Sequence, residues 1–134
     1  MDLLEMNAVK DDVITEWHAY EGGTTIGEIG PERGTVLRDE ELGDLEDEEA
    51  ADARITLERG RTANAGYFVT ATLYGWMFHT TSAPDLETAE TTYERMQGDL
   101  VRLAAMLPYE EDRDVESKAR RLASEVTNFE SRYR

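Results

Sequence analysis

Histidine occurs only at positions 18 and 79. Imidazole metal sites need several ligands converging, so His18 and His79 are read as ordinary hydrogen-bonded side chains and no metal is assigned. The chain has no cysteine, which excludes disulfides, zinc–thiolate centres and cysteine nucleophiles. None of the serines, Ser82, Ser117, Ser124 and Ser131, lies in a Gly-x-Ser-x-Gly elbow. Asp44, Glu46 and Glu48 start with the spacing of a calcium loop, but Glu49 stands where the loop needs glycine and no glutamate follows at its last position. Paired carboxylates are too common to identify an acid–base pair, because with 30 acids many pairs fall at catalytic spacing by chance. The glycines of residues 22–30 lack the Lys-Ser/Thr of a phosphate loop, and Glu28 would repel phosphate, so they are read as turn residues. Arg59-Gly60-Arg61 is a basic turn able to clasp a carboxylate or phosphate. Together with Tyr74 and His79, Arg59 forms the one ligand-binding cluster the sequence suggests. No catalytic residue and no cofactor are assigned.

The elements that would hold these residues follow from periodicity. Leu3, Met6, Val9, Val13, Trp17 and Tyr20 recur at three and four, which predicts an N-terminal helix stopped by Gly22-Gly23. Thr24-Thr25-Ile26 and Thr35-Val36-Leu37, on either side of Gly30-Pro31-Glu32-Arg33-Gly34, predict a hairpin. Residues 39–52 hold nine acids and no base and are expected to form a mobile acidic loop. Ala53, Ile55 and Leu57 alternate with polar residues as in a half-buried strand, and residues 60–66 should reverse the chain. Tyr67 to Thr81 is rich in aromatic and β-branched residues and predicts one long strand, bent at Gly75, with apolar bulk on both faces. Ser82-Ala83-Pro84-Asp85 reads as a capping box. It opens a helix with Leu86, Ala89, Tyr93, Met96, Leu100, Leu103 and Leu107 on one stripe, closed by Pro108. Val115, Ala119, Leu122, Val126, Phe129 and Tyr133 mark a second amphipathic helix. The expected fold is α+β: a four-stranded antiparallel meander with an N-terminal helix and two C-terminal amphipathic helices, in a single domain spanning 1–134.

Charge narrows the partners. Fourteen bases against 30 acids give −16 over 134 residues, which disfavours nucleic acid and anionic membranes as partners. Residues 113–134 are the exception, with six bases and four acids. Arginine far outnumbers lysine and threonine is abundant, which fits a salt-loving or GC-rich source, where concentrated salt screens the repulsion. There is no run of some 18 apolar residues and no secretory leader pattern, so a cytoplasmic location is expected. The function expected is that of a non-catalytic acidic binding or regulatory module acting through protein–protein contact, with a homodimer as the first partner. The dimer seam is placed either on Phe68, Tyr74, Trp76 and Phe78 of the long strand or on Leu122 and Val126 of the last helix. The alternatives are a small-ligand binder, or a carboxylate- or histidine-dependent enzyme with its site near the end of the long strand.

Overall fold

The structure, a computed structural model, describes residues 15–44 and 50–134. It is an α+β fold with one antiparallel sheet of five strands in simple meander order: β1 (Thr15–Ala19), β2 (Thr35–Asp44), β3 (Ala53–Arg59), β4 (Tyr67–Leu73) and β5 (Met77–Ala83). Two helices follow, α1 (Leu86–Ala104) and α2 (Val115–Arg132).

Four expected strands become five through two gains and one loss, the loss being Thr24–Ile26, which forms no strand. The first gain is that residues 67–83 are a hairpin rather than one strand: Leu73 pairs with Met77, and Tyr74-Gly75-Trp76 turn the chain between them. Gly75 sits at φ 83°, a conformation that glycine adopts without steric cost, and the Trp76 N–H donates to the Leu73 carbonyl. The bend expected at Gly75 is therefore a complete reversal. The second gain is that Trp17 and His18 lie on an edge strand instead of an N-terminal helix. Over residues 15–19 the period-two reading competes with the three-and-four spacing, and pairing with β2 (Trp17 opposite Leu42, His18 opposite Glu41) decides for strand. Leu3, Met6, Val9 and Val13, the rest of that expected helix, lie outside the described residues.

The expected acidic loop is largely strand. Asp39–Asp44 belong to β2, paired with β1 and β3, and residues 45–49 lie outside the described residues. Nine acids looked impossible to bury together, but β2 gives its carboxylates to different elements. Asp39 meets Arg54, Glu40 meets Tyr93 and Gln97 of α1, and Glu41 meets Tyr74. The predicted hairpin over residues 24–37 keeps its turn at Gly30–Gly34, but its first arm is the single bridge of Ile29 with Thr35 rather than Thr24–Ile26. Ser82 is in β5, and Asp85 caps α1 by accepting from the Thr88 N–H at 2.7 Å.

Strand pairing fixes what each face carries. Ala53, Ile55, Leu57, Val69, Ala71, Leu73 and Met77 point to the helix side, where they meet Tyr93, Met96, Leu100 and Leu103 of α1 and Leu122, Val126 and Phe129 of α2. Leu122 is completely buried and Val126 nearly so. The 4-3 stripe of the last helix is thus core: α1 and the sheet cover Leu122 and Val126, so the dimer seam expected there has no exposed surface. No helix among the described residues is long and apolar enough to cross a membrane.

Candidate functional site

The face of the sheet away from the helices carries three cross-strand rows. His18, Glu41, Arg54, Thr72 and Phe78 form the first; Asp39, Thr56, Thr70 and Thr80 the second; Val36, Glu58, Phe68 and Ser82 the third. Every charged member comes from β1, β2 or β3. The β4–β5 half holds hydroxyls and two phenylalanines, and no residue from Tyr67 to Ala83 is Asp, Glu, Lys or Arg, in a chain that is 33% charged.

The charged half is closed over. Asp39 Oδ1 accepts from Arg54 Nε at 2.9 Å and Thr56 Oγ1 at 3.2 Å, and Oδ2 accepts from Arg54 at 2.7 Å and Thr25 Oγ1 at 2.8 Å. The Arg54 guanidinium in turn lies on the Tyr20 ring, 3.7 Å from its centroid. Tyr74 donates its phenol to Glu41 Oε2 at 2.7 Å, and burial followed by that bond pushes the phenol well above its ordinary range. Glu58, fully buried, receives the Glu32 N–H on both oxygens and the Gly34 N–H at 3.0 Å. Burial raises the Glu58 carboxyl above its usual value although these amides pull it down. The close approach needs glycine: a Cβ on Gly30 would stand 2.4 Å from the Glu58 carboxyl carbon, and one on Gly34 2.2 Å from the Arg59 carbonyl oxygen. These bonds clamp residues 20–34 across β2 and β3. Asp39 has two partners on each oxygen and Tyr74 is held protonated, so the cluster's hydrogen-bonding capacity is spent on the fold.

Arg59, Tyr74 and His79 are not brought together. Arg59 pairs with Tyr67 at one end of the β3–β4 ladder and Tyr74 follows the Ala53–Leu73 pair at the other, about 20 Å away at the usual rise per residue. His79 points to the helix side, where its Nε2–H donates to the Tyr133 carbonyl at 2.6 Å and its ring meets Phe129 edge-on. The cluster does not form because the reversal at residues 60–66 leaves Arg59 and Tyr74 at opposite ends of the β3–β4 ladder, and the β4–β5 register turns His79 to the helix side. Of the aromatic set expected at a seam, Phe68 and Phe78 share the open face, Tyr74 is in the turn and bonded to Glu41, and Trp76 packs against the core. Phe78 is 65% exposed, and Ser82 in the same strand is also exposed. Toward β5 the open face is therefore bare, uncharged and partly aromatic.

The residues missed by sequence reasoning are Asp39, Glu41 and Arg54. Their signal was present in the period-two spacing of Asp39 and Glu41, which puts both on one face once residues 39–44 are read as strand. No protein-family model, curated protein or solved structure matches this chain.

Proposed function

We propose that this protein is a non-catalytic binding module that works through protein–protein contact, and that its first partner is a second copy of itself docked on the open face of the β4–β5 hairpin. The observation that carries the reading is Phe78, 65% exposed beside a threonine ladder in a 17-residue stretch without any charged side chain. A body of net charge −16 repels its own copy, and contact through carboxylate-bearing surface would add the cost of drying those carboxylates. The hairpin face is where two copies meet without that cost. A basic partner would instead seek the carboxylates, which this patch lacks. Thr80, partly exposed and already bonded across the strands to the buried Thr70 at 2.9 Å, offers a satisfied polar surface that closes without stranding donors. Phe68, half-buried, and Phe78 supply the apolar contact.

Sedimentation equilibrium of the wild type at about 0.1 M and about 2 M KCl tests this, since the Debye length falls from about 10 Å to below about 3 Å across that range. The expected result is a mass that moves toward the dimer as salt rises, and a monomer at both salts for Phe78→Lys with an unchanged circular dichroism spectrum. A wild-type monomer at every salt and at high micromolar concentration would overturn the proposal, as would a Phe78→Lys variant that dimerises as well as the wild type.

A further inference from the structure

A cleft of about 650 Å³ lies at the other side of β5, between α1 and the end of α2. Its wall on α1 is the stripe Thr92, Arg95, Asp99 and Arg102, spaced three, four and three so that all four share one helix face. Arg132 and Arg134 complete the lining with Thr81 and Ser82 of β5, and Thr81 Oγ1 donates to the Arg134 carbonyl at 3.1 Å. The composition of the protein is inverted here: four arginines line the cleft against one acidic side chain, in a chain with 30 acids and 14 bases. Asp99 is already committed. It accepts from Arg102 at 3.2 Å, Arg132 at 2.7 Å and the Tyr133 phenol at 2.6 Å. Burial opposes its ionisation, but these three donors prevail and hold the carboxyl below its usual range. Arg102 reaches Glu125 at 3.4 Å as well. Arg95 and Arg134 have no Asp or Glu side chain within ion-pair distance among the described residues.

We infer that this cleft binds a phosphate-type oxyanion carrying two or more charges, such as a diphosphate or the phosphate group of a small metabolite. One carboxylate occupies a single guanidinium fork, whereas four guanidiniums arranged around one cleft match a ligand with several acceptor oxygens pointing in different directions. The Thr92 hydroxyl on α1 adds a donor. Arg132 and Asp99 set the shape of the site through the Arg132–Asp99–Tyr133 bonds, and Arg95 and Arg134 provide the unspent charge. The locally basic segment 113–134 contributes half of the arginines; the other half comes from α1, and the fold unites them.

The test is isothermal titration with inorganic pyrophosphate at about 0.15 M salt, an ionic strength that screens the acidic body beyond about 8 Å. The expected result is one saturable site per chain, weakened about tenfold or more by Arg95→Gln and by Arg134→Gln, which corresponds to about 1.4 kcal/mol. Arg120→Gln, an exposed base outside the cleft with the same charge change, should leave it unchanged. Citrate distinguishes the chemistry: pyrophosphate should bind more tightly, and tighter citrate binding would overturn the phosphate assignment. Absence of a saturable pyrophosphate site, or equal losses in Arg95→Gln and Arg120→Gln, would overturn the site altogether. Circular dichroism of each variant reports folding, and the cleft variants leave Phe78 untouched, so failure here and failure of the dimer are separate results.

Discussion

Replacing Asp39 by asparagine isolates the device that lets an acid-rich segment be a strand. The substitution keeps the shape but turns one acceptor oxygen into an NH₂ group, which then faces donors: Arg54 and Thr56 on one side, Arg54 and Thr25 on the other. It also leaves the Arg54 guanidinium without its carboxylate. Breaking a buried ion pair by removing one partner typically costs about 3–5 kcal/mol. The Asp39 side chain is wholly buried, but that of Arg54 is 26% exposed and rests on Tyr20, so some of its charge can be solvated after the change. The lower end, about 3 kcal/mol, is therefore expected. For 134 residues with ordinary unfolding entropy this lowers Tm by about 10 °C. Urea unfolding followed by circular dichroism gives the loss directly. Adding Arg54→Met gives a double-mutant cycle in which the two changes should couple by about 2 kcal/mol, because each alone strands the other group. A loss below about 1 kcal/mol for Asp39→Asn, or strictly additive effects, would refute the account of β2.

Four further outcomes follow from the same structure. Glu58 has a raised carboxyl pKa, so its contribution to stability is complete below the unfolded value of about 4.3 and is lost as pH rises through the folded value; urea midpoints should show the wild type losing ground to Glu58→Gln between about pH 4 and pH 7, and the opposite trend would contradict the assigned direction. Gly34→Ala should destabilise more than Gly75→Ala in thermal melts: its Cβ meets backbone oxygen and strain of about 1–3 kcal/mol is typical, whereas Gly75 has open space and only its φ of 83° to satisfy, about 1 kcal/mol. Leu122→Ala should cost about 2–5 kcal/mol as a core truncation and leave the salt-dependent mass unchanged once folding is restored by lower temperature. Molar KCl should raise the wild-type Tm by screening the net charge of −16, and a flat or falling Tm would show that self-repulsion does not limit stability.

The α+β class, strand β3, the reversal at residues 60–66 and the two helices were legible because each rests on a periodicity longer than its ambiguity. Ala53, Ile55 and Leu57 alternate cleanly, and the stripe Ala89, Tyr93, Met96, Leu100 and Leu103 is buried along its whole length. What was not legible depended on partners far away in sequence. Trp17 satisfies a helical and an extended spacing equally, and pairing with Leu42 decides between them. Asp39, Glu40 and Glu41 read as a solvated run until Arg54, Tyr93 and Tyr74 are placed opposite them. Gly75 marked a break whose sharpness only φ reveals; one long strand would set Tyr74 and Trp76 in a row with Phe78, whereas Tyr74 sits in the turn, bonded to Glu41, and Trp76 packs against the core. The seam on Leu122 and Val126 failed for a related reason, since an amphipathic stripe does not say whether its cover is the same chain or another. The arginine cleft left only the faint trace of a basic C-terminal segment, because two of its arginines lie on α1.

The face-to-face contact itself is tested most directly by a distance between two copies. The chain has no cysteine, so Ser82→Cys and Ser117→Cys each give a single site for a nitroxide label, the first in an exposed position on the open face and the second exposed on α2. Double electron–electron resonance in about 2 M KCl, where repulsion is screened, should give a Ser82 pair distance clearly shorter than the Ser117 pair, because the open faces meet and the helices point outward. A shorter Ser117 distance, or no dipolar coupling at either site, would contradict the proposed dimer.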